Sequence, residues 1–338
     1  MQKRPFGRTA DDRLVEQVVL ESDAAAVSIL SLGATVRDWR IDGPDGSLPM
    51  VLGFPTVEAY VGHARSHGAI CGRVANRVAE ARFRLEGREV ALVPNEGPHQ
   101  LHGGPGGLGG RLWEMELDAA AGAVELRFAS PDGDQGWPGA VDFAVRYRLE
   151  GARLVCDMHG MPDRPTPINL ANHSYYNLGG GGTVQDHVLR VAAAQYTPTR
   201  PDLIPTGEIA AVEDTPYDFR EPTEIGDRAL DGNLVLDADR NPSVPAAEVT
   251  CPRTGAELRL WTREPGLQLF DAFAMTIEAP GHDGARYGRF AGLCLEAQHF
   301  PDSLNHPDWP SILCTPDRPY HQRLDVEIAR PGPGRDRA

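Results

Sequence analysis

The chain has 338 residues, 41% of them hydrophobic, and a formal net charge of −15, enough apolar material for one large β domain or two ordinary ones. Its acids are spread along its length, so there is no basic face for nucleic acid or anionic lipid, and no run approaches the roughly 20 apolar residues that span a bilayer. Residues 1–30 have no long apolar core after their basic start, so a cytoplasmic location is expected; the only lysine, Lys3, lies on an N-terminal stretch expected to be mobile, which excludes P-loop, pyridoxal and imine chemistry.

In chain order, "VSILSLGATV" (27–36) reads as strand, and "TVEAYVG" (56–62) is the one helical signal, a short one. Period-two alternation follows at Val124, Leu126 and Phe128, then at Val141, Phe143, Val145, Tyr147 and Leu149. "ARLVCDM", "AELRLW", "LQLF" and "GLCLEAQ" are further strands, and Leu324, Val326 and Ile328 alternate near the end. With 37 glycines and 29 prolines in the turns between them, these segments predict an all-β, large antiparallel β-sandwich. No repeat or linker divides the chain, so residues 1–338 are expected to form a single domain with a disordered tail over about 331–338.

Several apparent motifs lose their force in context. Gly104, Gly106 and Gly109 match G-x-G-x-x-G, yet they follow "PHQLH" and enter "RLWEMEL" instead of joining a buried strand to a helix. His63 and His67 have i,i+4 spacing and His99 and His102 i,i+3, but no H-E-x-x-H accompanies them, and surface positions are expected for His63 and His67. The five cysteines (71, 156, 251, 294 and 314) are scattered and fit neither a disulfide framework nor a zinc cage. No metal or cofactor is expected.

Two segments place polar chemistry where a sandwich would bury it. "NLANHSYYNLGG" (169–180) sets His173 between asparagines and runs into four glycines, Gly179–Gly182. A lone histidine is more often structural than catalytic, and it carries no mechanism without partners. In "GLCLEAQ", Glu296 interrupts an apolar strand, so it either pairs with a cation such as Arg73 or Arg77 or serves catalysis in a cleft.

Taken together, "GAICGRVANRV", "QLHGG", "SPDGDQGWPG", "NLANHSYYNLGG", "LIPTGEI", "PYDFR", "PGLQLF" and "CLEAQHFPDSLNHP" occur in the order found in the aldose 1-epimerases, or galactose mutarotases, and the chain resembles that family over nearly its whole length. The resemblance implies a mutarotase-type β-sandwich, monomeric or homodimeric, that interconverts the α and β anomers of free aldohexoses without a cofactor. It makes His173 the general acid and Glu296 the general base, with Asn76, Arg77, His102, Asp231 and Gln268 contacting the sugar. The alternative for Asn76 and Gln268 is that they mainly orient their neighbours.

The chain departs from the family pattern at Leu108, Gly109 and Gly110, at Gly232, and at "LFDAF", which puts sugar preference in doubt and suggests a widened cleft. Asn172, Ser174 and Asn177 are expected to fix the His173 loop, its glycines to let the backbone turn where a side chain would obstruct the cleft, and Trp137 or Tyr176 to offer a ring to the sugar, the alternative for Trp137 being a corner position in the sandwich. The rival readings are a mutarotase of a different or phosphorylated aldose, a glycoside hydrolase, which would need two carboxylates across the bond, and a non-catalytic carbohydrate-binding sandwich.

Overall fold

A computed structural model of the chain describes residues 1–43, 46–62 and 66–330. The expected tail lies outside them. Three antiparallel sheets dominate. The largest has nine strands, beginning with Glu114–Asp118, Ala123–Ser130, Val141–Glu150 and Arg153–Pro162, and continuing through Tyr320–Ala329 to Glu257–Thr262. A six-stranded sheet contains Tyr175–Tyr176, Leu293–Gln298, Gly266–Phe270, Asp231–Val235 and Gln195–Thr197 in that spatial order. The third, of five strands, is a meander running from Arg4–Arg8 to Gly46–Pro49.

Alternation explains the layering. Val145, Tyr147, Leu258, Leu260, Leu324 and Val326 of the large sheet join one buried cluster with Leu234, Leu267, Leu269, Leu293 and Leu295 of the six-stranded sheet. Side chains on a strand change face at every residue, so Cys294, Glu296 and Gln298 turn away from that core, although the whole strand is buried. A sandwich with loops over one outer face therefore gives Glu296 a protected floor.

Most alternating segments form the strands that their pattern predicts. "VSILSLGATV" does not remain one strand: Gly33 and Ala34 adopt left-handed φ of 66° and 48°, and the chain turns between strands Ala25–Leu30 and Val36–Gly43. The short helix forms at Val57–Gly62. Lys3 is not a free tail residue, since its Nζ donates to Glu16 (3.0 Å) and to the Met115 carbonyl (3.2 Å). His63 lies outside the described residues. His67 is buried, not on the surface: Phe54 meets it edge-on, and Tyr175 stacks on it at 4.0 Å. No described helix is long and apolar enough to cross a membrane.

Candidate active site

The cleft is laid out by strand register. Asn233 stands opposite Gln268, and Gln268 opposite Glu296, so three polar side chains form one row across adjacent strands. His173 arrives from a different segment, through the bridge strand Ala171–Asn172, which pairs with Ile70–Cys71. Its amide donates to the Ala69 carbonyl (2.9 Å), and its own carbonyl accepts from Gly68 (2.9 Å). The loop beyond is held as expected. Ser174 Oγ donates to Asn172 Oδ1 (2.7 Å), and Asn177 Nδ2 donates to the Ala291 carbonyl (2.8 Å).

These constraints place Nε2 of His173 3.6 Å from Oε1 of Glu296. Both groups are buried, and Oε2 of Glu296 has no hydrogen-bond partner. The salt-bridge alternatives fail. Arg73 spends its guanidinium on the Pro138 and Gly139 carbonyls and on Ser130 Oγ, while Arg77 forks onto Glu96 through Nε (2.6 Å) and Nη2 (3.0 Å). A buried carboxylate whose acceptor is unpaired is costly. Burial, reinforced by the charge of Asp231, accordingly pushes the Glu296 carboxyl up to about 8, while burial pulls His173 down to about 4. Near neutrality the proton of the pair rests on Glu296, the reverse of the free-solution order.

Around this pair the other expected residues converge. Gln268 Nε2 donates to Asp231 Oδ1 (2.6 Å), and Oδ2 of Asp231 lies 4.0 Å from Arg77 Nη1. The His102 and His173 rings meet edge-on, with centroids 5.1 Å apart. Asn76 and His102 both have left-handed φ, 60° and 50°, and grip each other reciprocally: the Asn76 amide donates to His102 Nδ1 (3.1 Å) and the His102 amide to the Asn76 carbonyl (3.0 Å). Non-glycine residues held in this region cluster at functional sites. The Asn76 side chain accepts from the Arg77 amide (2.8 Å), so orienting its neighbour is part of its task.

That grip settles what His102 can do. Burial pulls its pKa well below the usual histidine value, so the ring is neutral. With Nδ1 accepting from an amide, the proton sits on Nε2, a donor available to a sugar oxygen. It follows that His102 offers no lone pair to a cation, although donor atoms of His102, His173 and Glu296 lie within 4.8 Å of one another. The same reasoning disqualifies Asp186, His187 and Cys251, the other such group among the described residues. There the Leu178 amide donates to His187 Nε2 (3.0 Å), which leaves the proton on Nδ1, 2.9 Å from Asp186. Neither donor set suits a metal.

A family model described as Aldose 1-epimerase matches residues 16–327. The chain belongs to the aldose 1-epimerase family. It is 36% identical to the galactose mutarotase of Bos taurus over 316 residues, 90% of this chain and 92% of that one. The aldose 1-epimerase of Escherichia coli K12 is 34% identical over 302 residues, covering 85% and 87% of the two chains. Among solved structures, an aldose epimerase homologue from C. elegans superimposes with a TM-score of 0.88 at 28% identity, covering 94% of this chain and 99% of that one. A galactose 1-epimerase from Lactobacillus acidophilus gives 0.84 at 25%, covering 98% and 99%.

Some expectations drawn from the aldose 1-epimerase pattern need correction. Trp137 and Tyr176 offer no ring to a sugar, because both are in the packed interior, Trp137 against Phe83. The ring beside His173 is Tyr175, stacked at 5.0 Å. The glycines after the histidine loop turn the backbone as expected, with positive φ at Gly180–Gly182, but not at the cleft: a Cβ at Gly179 would meet Arg253 and one at Gly180 would meet Leu48, neither a residue of the site. Their reason is conformational. Gly232 does not widen the site either, since a Cβ there would lie 2.6 Å from the Tyr217 hydroxyl. Leu108 is buried in the main core. Glu96, which clamps Arg77, was missed; its setting, "PNEGP", reads as an ordinary turn.

Proposed function

We propose that His173 and Glu296 carry the anomer interconversion of free aldoses characteristic of the family, with one titrating proton shared between them. The observation that carries this reading is the 3.6 Å approach of Nε2 to a buried carboxyl that has an unpartnered oxygen. Opening a pyranose requires a base for the C1 hydroxyl proton and an acid for the ring oxygen. Glu296 as carboxylate takes the first proton, and His173 as imidazolium supplies the second. Opening therefore converts an ion pair into a neutral pair, carboxylic acid plus imidazole. After rotation about C1–C2, the neutral imidazole recovers the proton from the C5 hydroxyl and Glu296 returns one to the aldehyde oxygen, closing the ring on the other face.

Electrostatics favours the middle of this cycle. The buried site holds Glu296 protonated and His173 neutral near pH 7, which is the proton distribution of the opened sugar. The C1 hydroxyl and ring oxygen supply hydrogen bonds that favour the ionised forms on entry. Each proton-transfer group contributes about 10²–10⁴-fold.

The remaining residues bind and orient. His102 presents Nε2–H, Asp231 and the unpartnered Oε1 of Gln268 present acceptors, and Arg77 directs Nη1 toward Asp231. The Arg77 charge is already matched by Glu96, which supports a neutral sugar over a phosphorylated one. The buried cluster shared by the sheets supports reading the chain as one domain. NMR exchange of the anomers of a panel of unphosphorylated aldoses tests the proposal; no catalysed exchange of any of them would refute it.

A further inference from the structure

Cys294 and Glu296 are two residues apart on the strand Leu293–Gln298, so they project from the same face. His173 lies across both. Its Nε2 is 3.6 Å from Oε1 of Glu296, and its Nδ1 is in hydrogen-bond contact with Sγ of Cys294 at 3.5 Å. One strand thereby addresses both nitrogens of one imidazole. Tyr175, which stands opposite Cys294 in the adjoining strand, covers the ring from one side, with centroids 5.0 Å apart and planes 21° apart. Turning the imidazole over about Cβ–Cγ would set Cδ2 against the sulfur and Cε1 against the carboxyl. Both polar contacts would be lost, so one orientation is favoured.

The same contact selects a tautomer. A thiol can donate or accept, and a neutral imidazole has one nitrogen of each kind. The group at the other nitrogen decides between them. Near neutrality the pair's proton rests on Glu296, whose carboxyl faces Nε2, so Nε2 must offer the lone pair and the ring's own proton must be on Nδ1. The chemistry of ring opening requires the same arrangement: an imidazolium that gives its Nε2 proton to the ring oxygen is left with Nδ1–H and needs no rearrangement before it takes the proton back. The structure assigns Cys294 as the positioning residue of His173: its sulfur accepts from Nδ1–H, holds the ring in one orientation and keeps Nε2 free to exchange a proton with the sugar.

Sulfur suits this task because it is a weak acceptor without charge. Cys294 is fully buried, and burial raises its thiol well above the ordinary range, so it does not ionise. A carboxylate in its place would stabilise the imidazolium and oppose release of the proton to the ring oxygen. The thiol orients the acid without making it a stronger base. It touches no reacting atom, so its loss should act on the chemical step through His173 and leave sugar affinity alone.

This inference rests on the reading of His173 as the acid, and separate readouts test the two claims. Long-range nitrogen–proton NMR correlations of the His173 ring at pH 7 show which nitrogen carries the proton, independently of turnover; in the wild type it should be Nδ1. Cys294→Ala should move part of that population to Nε2–H and lower kcat by about 2- to 10-fold, the equivalent of one neutral hydrogen bond, with KM within about twofold. Cys294→Ser, whose hydroxyl accepts in the sulfur's place, should restore both Nδ1–H and kcat. Cys156→Ala, which removes a buried thiol from the main core, should cost stability and change neither. A wild-type ring protonated on Nε2 would overturn the positioning role, and that spectrum decides even if Cys294→Ala folds poorly. An unchanged tautomer or an unchanged kcat in folded Cys294→Ala would overturn it too. Full kcat in His173→Asn would instead overturn the acid assignment, and the inference with it.

Discussion

His173 and Glu296 come from opposite ends of the second half of the chain, yet the Nε2 of one lies 3.6 Å from the Oε1 of the other. Neither has a charged partner that would neutralise it on its own, so their protonation is joint. The expected consequences concern that pair first.

The pH profile should be a broad bell. Burial pulls His173 to about 4 and pushes Glu296 to about 8, and the two limbs belong to the pair as a whole. Below about 4 both groups hold protons and no base remains; above about 8 the pair has lost its last proton and no acid remains. Initial rates of anomer exchange from pH 3 to 10, corrected for the uncatalysed reaction, check this. A rate still rising well above pH 8 would contradict it.

Glu296→Gln and His173→Asn should stay folded and lose at least about 10²-fold in kcat. Stability supplies a second readout. The folded carboxyl is raised above its ordinary 4.5 to about 8, so its contribution is fully present below about 4.5 and is lost as pH rises through about 8. The wild type should therefore weaken over that interval through this group, and Glu296→Gln should lack that share of the loss. Denaturant titrations of both proteins at pH 5 and pH 9 measure the difference.

Chelation should change nothing. The amide that donates to Nδ1 of His102 leaves that ring a proton donor at the cleft, so no cation has its lone pair to use. Protein dialysed against a chelator should turn over at the full rate; activity lost and then restored by zinc would show the tautomer assignment to be wrong.

Glu96→Gln should raise KM by about 2- to 10-fold with little change in kcat. The carboxylate holds two edges of the Arg77 guanidinium, and a bidentate charged pair orients the arginine even where one partner is partly exposed. Steady-state kinetics distinguishes this from a general loss of fold, which would lower the active fraction and leave KM unchanged.

Gly103→Ala should be severely destabilising, because its φ is 83° and a Cβ would approach the Gly72 carbonyl oxygen to 1.9 Å. The neighbouring His102 would move with it. Thermal unfolding should show a drop of several degrees, with activity falling in the folded fraction as well.

Much of this was legible in the chain itself. Period-two alternation identified strands such as Val141–Glu150, because a sheet with one buried face imposes that pattern locally. An acid within "GLCLEAQ" stood out for the same reason: Glu296 breaks an apolar run, and burying it demands a purpose. The family order of motifs added the proposed acid and base and the proposed sugar-contacting set. What no local pattern carries is the relation between distant segments. Whether Arg73 or Arg77 would neutralise Glu296, that Glu96 in an ordinary turn clamps Arg77, and that His67 is stacked inside the fold were all set by packing. Gly232 looked like open space in the sequence, and only the tertiary structure brought Tyr217 against it. Composition and alternation determine which residues are buried and on which face, since those depend on neighbours along the strand. Proton affinity, tautomer and cleft width depend on which groups meet across the sheets, and so they were decided only when the chain closed on itself.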